Sequence, residues 1–429
     1  MNFSDSEIVA SILSGEGFLS TENITEADII LVNTCSIRDH AEQRVKKRLQ
    51  QFRSYKKKNP RLVIGLLGCM ADRIKTVLKE EEYLLDVVAG PDVYRDLPKL
   101  LEQVEAGQRG VNTLLSMEET YADITPVRLG SNGVSAFISI MRGCENYCSY
   151  CVVPAARGHE RSREPASIIQ ETAVLLSQGY REVTLLGQNV NSYLWKENGR
   201  EILFSDLLAR VALVSPLMRI RFATSHPKDL SDELLETIAR YSNICRAIHL
   251  PVQSGSTRIL DRMNRKYNRE DYLKRIDAIR RIIPGCAIST DIITGFCDET
   301  EEDHRMTLTL MEAAAFDYAF QFKYSERPQT LAAETLKDNV PEVIKDRRLK
   351  EVIALQQKLS LHSNKRDLGK IFEVLVEGES RRSTDHFMGR TSHNKVVVFP
   401  KTASKPGTYV RVKVLRCTSA TLIGEVQEG

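Results

Sequence analysis

The chain is predicted to be an α/β protein in three blocks: an open parallel α/β domain that lacks its first strand, a partial (β/α)6 barrel, and a small antiparallel β-barrel. Three observations carry this reading. Helix-period and strand-period patterns alternate over the first 110 residues, six strand-then-helix units repeat from Val134 onward, and after residue 365 only short strands remain, separated by Gly, Pro, Ser and Asn. A length of 429 residues also exceeds what one core accommodates and predicts about three domains.

The first block, residues 1–110, opens on a helix. Ser4 and Glu7 read as a capping box ahead of IVASIL; ADIILVNTC reads as a buried strand, RDHAEQRVKKRLQQFRSYKKK as an amphipathic helix and LVIGLLGC as the next strand. A third strand and helix follow at DVVAG and YRDLPKLLEQVEAG. No strand precedes the first helix, so the βαβ alternation starts one strand late. Cys35 and Cys69 close the first two strands, in the crevice where open α/β sheets bind ligands. For such a pair, buried filler and metal ligand are both open. Residues 111–133 read as a linker.

The second block, residues 134–364, carries the strand patterns SAFISIM, EVTLLGQN, IRFATS, AIHLPVQS, AISTDIITGF and AFQFKYSE. In a barrel of repeated βα units the segments after the strands share one face. On that face fall Gln188 and Asn189, Ser225 and His226, and Gln253, together with SIMRGCENYCSYCVVPAARGHERSR, whose Cys144, Cys148 and Cys151 form a CxxxCxxC triplet. The triplet is too crowded for a disulfide framework and lacks the second pair of a zinc ribbon. Three thiolates can hold three irons of a 4Fe-4S cube and leave the fourth iron open for chemistry. Arg157, Arg161 and Arg163 follow directly. Their forks suit phosphate of a nucleic acid or carboxylate of a cofactor, and equally ion pairs with Glu160 and Glu164.

The third block, residues 365–429, holds the strands KIFEVLVEGE, KVVVFP, YVRVKVLRCT and TLIGEV. Net charge is only +3 over the whole chain, yet Leu361 onward has 12 Lys/Arg against 7 Asp/Glu. The positive surplus is therefore local to the tail, as an RNA-binding module requires, with Arg381, Arg382, Arg390 and Lys395 as candidate phosphate contacts. A composition of 42% hydrophobic and 27% charged residues is that of a globular protein, and no apolar run is long enough to span a bilayer. Nine cysteines without an export signal lead us to expect a reducing compartment, the cytoplasm.

The three-part layout resembles the radical S-adenosylmethionine methylthiotransferases nearly end to end. The resemblance rests on MRGCENYCSYCVVP, RGHERSR, LLGQNVNSY, RFATSHP, HLPVQSGS and TDIITGF, and it is strongest to the bacterial tRNA-modifying branch. It implies a first 4Fe-4S cluster on Cys144, Cys148 and Cys151, with Tyr150 as the aromatic residue before the last cysteine. S-adenosylmethionine would sit among Tyr150, Gln188, Asn189, Ser225, His226 and Gln253. It implies an auxiliary 4Fe-4S cluster with Cys35 and Cys69 as two of three ligands, and a terminal TRAM barrel that grips tRNA. The implied reaction adds a methylthio group to C2 of N(6)-isopentenyladenosine at position 37. One S-adenosylmethionine would methylate a sulfur on the auxiliary cluster and another would generate the hydrogen-abstracting radical, with electrons from a donor such as flavodoxin or ferredoxin; a monomer is expected.

The family's run Gly-Cys-Gln-Met-Asn meets this chain only at Met1 and Asn2, so the third auxiliary cysteine is absent and an upstream extension is expected. Smaller departures are Cys297-Asp298, Glu326 and Ala155-Ala156. Two other readings stay open: methylthiolation of a ribosomal-protein aspartate, and a tRNA-binding iron-sulfur protein made inactive by the missing ligand.

Overall fold

The computed structural model describes residues 1–34, 39–71 and 85–427. The first domain is a four-stranded, wholly parallel sheet of β1 (Ile29–Thr34), β2 (Val63–Gly68), β3 (Val87–Ala89) and β4 (Gly110–Asn112), hydrogen-bonded in that order. Residues alternate across β2 because side chains point to opposite faces of a strand. Leu67 packs with the helices Asn2–Gly15 and Leu97–Glu105, whereas Ile64 and Leu66 pack with Leu49 and Phe52 of the helix Asp39–Lys58. Both faces are thus covered, as a parallel sheet requires.

Two expectations are corrected here. Ser4 and Glu7 form no capping box: the first helix starts at Asn2 with no side-chain cap, and both residues are buried one turn inside it. Strand β4 went unread, because three residues with one glycine leave no period to detect, and it carries the sheet past residue 110 into the stretch read as linker.

The central strands are β5 (Ser135–Ser139), β6 (Met141–Arg142), β7 (Arg161–Ser162), β8 (Glu182–Leu186), β9 (Leu194–Glu197), β10 (Arg200–Leu203), β11 (Arg219–Ala223), β12 (Ala247–His249), β13 (Ala287–Thr294) and β14 (Tyr318–Lys323). All six expected barrel strands form, in parallel sheets β11-β8-β5 and β12-β13-β14, bridged at Ile220 and Ile244. Strands β5 and β14 do not pair, so the barrel is open on one side. Ile138, Val183, Leu185, Ile220, Ile248, Ile288, Ile292 and Ala319 face outward into one core with the surrounding helices. The residues between them line the lumen.

The last domain is a closed barrel of β15 (Ile371–Ser380), β16 (Ser383–Thr391), β17 (Val396–Pro400), β18 (Tyr409–Cys417) and β19 (Leu422–Val426), in the order β15-β16-β17-β19-β18. Strand β16 was missed because STDHFMGRT is mostly polar. The barrel is not fully antiparallel either, since β17 and β19 run parallel. It seats on the amino-terminal ends of the central strands. Arg219 and Arg221 donate to the carbonyls of Arg390 and Thr391 at 2.7 and 2.8 Å, and the Tyr409 hydroxyl lies 3.1 Å from the carbonyls of Arg181 and Leu217.

Candidate active site

The cysteine loop leaves β6 through Gly143, whose φ of +79° suits glycine and where an added Cβ would meet the His159 carbonyl oxygen at 1.8 Å. The loop is then pinned from below. Ser149 donates through its amide and its hydroxyl to the carbonyls of Met263 and Arg262, and Asn264 donates to the Tyr147 carbonyl at 2.7 Å. Cys144, Cys148 and Cys151 are half-buried and free of disulfides. Burial pushes the Cys144 thiol up to about 11, and burial together with the neighbouring Cys148 pushes Cys151 up to about 12. Without metal these two thiols are protonated at neutral pH, so iron must displace protons to bind. No trio of His, Cys, Asp or Glu among the described residues is spaced to close on a single metal ion. A cube is larger than an ion, and thiols that take its separate corners stand further apart.

The residues expected around the cofactor come together at the carboxyl ends of the strands, and their polar atoms share a property. Gln188 Oε1, Asn189 Oδ1, both amide atoms of Asn191, Ser225 Oγ, His226 Nε2 and Gln253 Oε1 are all buried without a hydrogen-bond partner among the described residues. Buried polar groups gathered in one neighbourhood are completed by ordered water or by a ligand. The chemistry fits an adenosyl amino acid, which offers amine, carboxylate, hydroxyl and ring-nitrogen partners.

His226 Nδ1 accepts from the Lys228 amide at 3.3 Å, so the unpartnered Nε2 carries the hydrogen. Burial, with Arg265 and Lys228 nearby, holds this imidazole down at about 2 and therefore neutral. Thr224, a β-branched residue, and Gln253 adopt φ of +73° and +72° in the same loops, a left-handed region that non-glycine residues rarely occupy. Tyr150 differs from the others: its ring packs edge-on to Phe296 and its hydroxyl is 3.3 Å from Arg265, so it steadies the cysteine loop.

Arg265 was not singled out from the sequence, where it reads as one more charge in MNRKYNR. It is buried at 4% exposure, and its Nη1 donates to Cys148 Sγ at 3.2 Å. Its Nη2 donates to the Pro251 carbonyl at 2.9 Å and its Nε to the Tyr267 hydroxyl at 2.8 Å. One guanidinium therefore ties the cysteine loop to the loop that carries Gln253.

The arginines after the loop are corrected. Arg157, Arg161 and Arg163 are buried at 3%, 6% and 6% exposure and offer nothing to RNA; nor do they pair with Glu160 or Glu164. Arg157 Nη2 donates to Asp5 at 2.6 Å, Arg161 Nη2 to Asp92 at 3.0 Å, and Arg163 to Glu171. Arg142, also unremarked in the sequence, donates to Asp5 at 2.9 Å and to the Pro91 carbonyl at 2.8 Å. Asp5 and Asp92 belong to the first domain, so these ion pairs lock it against the cysteine loop.

Cys69 follows β2 at that interface, near Arg157 and Tyr94. Arg157 Nη1, Tyr94 Oη and Asn33 Oδ1 are buried there without partners among the described residues. Cys35 follows the β1 residue that pairs with Gly68, but itself lies outside the described residues.

In the last domain, Arg381 and Arg382 are exposed in the β15–β16 turn and free to meet phosphate. Arg390 pairs with Glu377 at 3.2 Å. Lys395 is corrected: it reaches inward to Asp367 at 2.6 Å and Asp317 at 3.5 Å and fastens the barrel to the central domain.

Known proteins agree with this layout. Residues 138–311 match the Radical SAM superfamily, residues 1–90 the uncharacterized protein family UPF0004, and residues 365–427 the TRAM domain. The tRNA-2-methylthio-N(6)-dimethylallyladenosine synthase of Amoebophilus asiaticus is 57% identical over 438 residues, covering 99% of this chain and 90% of that one. The enzyme of the same name from Chloroherpeton thalassium is 55% identical over 424 residues, covering 99% and 93%. Among solved structures, the radical S-adenosylmethionine methyltransferase TsrM of Kitasatospora setae, solved with cobalamin and a 4Fe-4S cluster, has a TM-score of 0.58 at 16% identity. It covers 77% of this chain and 73% of its own, a likeness of fold.

Proposed function

The chain belongs to the tRNA-2-methylthio-N(6)-dimethylallyladenosine synthases, a family of radical S-adenosylmethionine methylthiotransferases, and from that premise we propose that it adds a methylthio group to C2 of N(6)-isopentenyladenosine at position 37 of tRNA. The observation that carries the reading is the ring of unpartnered buried atoms on Gln188, Asn189, Ser225, His226 and Gln253 beside a three-cysteine loop. When bound, the cluster and S-adenosylmethionine supply reductive cleavage of a sulfonium and abstraction of a hydrogen atom.

The chain's own residues do the rest. Cys144, Cys148 and Cys151 would hold the cluster. Neutral His226 presents its Nε2 hydrogen as a donor, and Ser225, Gln188, Asn189 and Gln253 orient the amino acid and the nucleoside by hydrogen bonds that no protein group competes for. Arg265 keeps a positive charge against Cys148, which would stabilise added negative charge on a cluster held there. Arg142, Arg157 and Arg161, gripping Asp5 and Asp92, hold the first domain against the cysteine loop, and Cys69, with Cys35, would be ligands of an auxiliary cluster that would supply the sulfur. Arg381 and Arg382 supply phosphate contacts that bind tRNA without reading its sequence.

No helix among the described residues is long and apolar enough to cross a membrane. We further propose that the protein works as a cytoplasmic monomer and draws electrons from a flavodoxin or ferredoxin; its mass in solution under light scattering tests the first point and reduction of the cluster by each donor the second. The central test is anaerobic, reconstituted protein given S-adenosylmethionine, reductant and an isopentenylated anticodon stem-loop. Mass spectrometry of the digested RNA is expected to show 2-methylthio-N(6)-isopentenyladenosine. Cleavage of S-adenosylmethionine with the adenosine left unmodified would overturn the reading.

A further inference from the structure

The open barrel leaves two aromatic side chains of one lumen wall exposed, beside polar residues. On β13 and β14, Ser289 is in register with Tyr318 and Asp291 with Phe320, and His249 of β12 is in register with Ser289. These residues lie between the outward-facing Ile248, Ile288, Ile292 and Ala319, so all five point into the lumen. His249 Nδ1 lies 3.0 Å from Ser289 Oγ, and its Nε2 lies 3.5 Å from Asp291 Oδ1. Both ring nitrogens are thereby engaged, and the Asp291 carboxylate is held in place with 27% of its side chain still open. Tyr318 and Phe320 meet edge to face at 4.9 Å between centroids and remain 52% and 43% exposed. Phe320 also meets the His249 ring at 5.9 Å.

The position suits a substrate. His249 is two residues before Pro251, whose carbonyl is held by the same Arg265 that touches Cys148. At ~3.3 Å per strand residue this wall begins about 7 Å below that loop, inside the barrel. Asp291 also accepts at its backbone carbonyl from the Gln253 amide at 2.9 Å, which joins the wall to the loop above it.

Resting on the function proposed above, we propose that this wall recognises the N(6)-isopentenyl adenine: Asp291 accepts the hydrogen of the exocyclic nitrogen while Phe320, with Tyr318, takes the five-carbon branch. An N(6)-prenylated base carries one hydrogen and one apolar group on the same nitrogen. Asp291 and Phe320 are register partners on neighbouring strands, about 4.8 Å apart, and present an acceptor and an aromatic ring side by side. The adenine of S-adenosylmethionine has no apolar branch to place against the ring. His249 is a positioning residue that fixes the Asp291 carboxylate.

The test measures equilibrium binding of anticodon stem-loops with and without the isopentenyl group to reconstituted full-length protein, by fluorescence anisotropy. Wild-type protein is expected to prefer the prenylated RNA by roughly tenfold or more. Phe320→Ala is expected to bring that ratio below about threefold and Phe320→Leu to restore most of it, which separates a lost apolar contact from a damaged fold. Asp291→Asn is expected to weaken both RNAs alike, by roughly fivefold, and leave the ratio intact, since both bases carry the hydrogen. A wild-type preference that survives Phe320→Ala overturns the assignment alone, as does weakened S-adenosylmethionine binding in Phe320→Ala with an unchanged RNA ratio. Equal binding of both RNAs by wild-type protein, with no methylthio product, overturns the functional reading beneath it.

Discussion

The two ends of the central barrel are built to opposite rules. At the carboxyl ends of its strands, buried amides, a hydroxyl and an imidazole are left without partners around a cysteine loop. At the amino ends, where the terminal barrel docks, most polar groups are spent on the protein itself, Arg221 Nη1 being an exception among the described residues. Arg219 and Arg221 donate to backbone carbonyls, Arg221 pairs with Glu182 at 2.8 Å, and Lys395 pairs with Asp367. The first end keeps its hydrogen-bonding capacity for something that comes and goes. The second uses it to hold two domains together, since leaving such groups unpaired would cost about 1 to 3 kcal/mol each. Unsatisfied polarity is thus concentrated at the working end of this barrel, on neighbouring loops, whereas at the docked end it is sparse.

The largest expected effect breaks the working end outright. Cys148→Ala is expected to abolish cleavage of S-adenosylmethionine, by more than about a thousandfold, and to lower iron content after reconstitution, while anticodon stem-loop binding persists. Loss of RNA binding as well would show that the two ends are not separable.

A domain-level contrast comes next. Asp5→Asn strands Arg142 and Arg157 in the interface, and breaking a buried pair in this way is expected to cost about 3 to 5 kcal/mol, read from chemical denaturation. Burial alone would push the Asp5 carboxyl up, but Arg142 and Arg157 outweigh it and hold it at about 2, below its ordinary 3.8. A depressed folded-state value contributes stability that is present above pH 3.8 and lost as pH falls through about 2. Roughly 2 kcal/mol of the difference between wild type and Asp5→Asn is therefore expected to disappear across that window, in denaturation curves taken at each pH.

Arg265→Met sharpens the link from Arg265 to the cluster. Removing the charge that donates to Cys148 is expected to make the cluster harder to reduce, seen as a more negative midpoint in a redox titration followed by electron paramagnetic resonance, with cleavage slowed about tenfold or more. An unshifted midpoint would reduce Arg265 to a structural tie between loops.

The smallest effects test the docked end. Arg381→Glu with Arg382→Glu is expected to weaken RNA binding about tenfold and flatten its salt dependence by about two phosphate contacts, without slowing RNA-independent cleavage. Lys395→Ala is expected instead to leave the salt slope alone and loosen the docked barrel by about 1 kcal/mol, read as a lower unfolding midpoint.

Much of this was legible in the residues. Strand and helix patterns are local, so β1, β2, β3 and the six central strands stand out by apolar period and by the polar turns after each. The triplet Cys144, Cys148 and Cys151 is equally legible, because its spacing lies within one loop and argues against a zinc ribbon without any knowledge of the fold. Strand β16 was hidden for a local reason too: half its residues face solvent and carry no apolar period.

What sequence alone determined here is what adjacent residues can determine together: most of the strands and helices, the three-cysteine spacing and the family. Tertiary structure decided the fate of every long-range charge. Arg157 and Arg381 look alike in a sequence, yet one is buried against Asp5, 152 positions away, and the other stands in solvent. Whether a guanidinium is buried or free depends on which carboxylate the folded chain brings to it. That pairing, like the placing of Arg265 against Cys148 and of Asp291 beside Phe320, exists only once distant segments have packed.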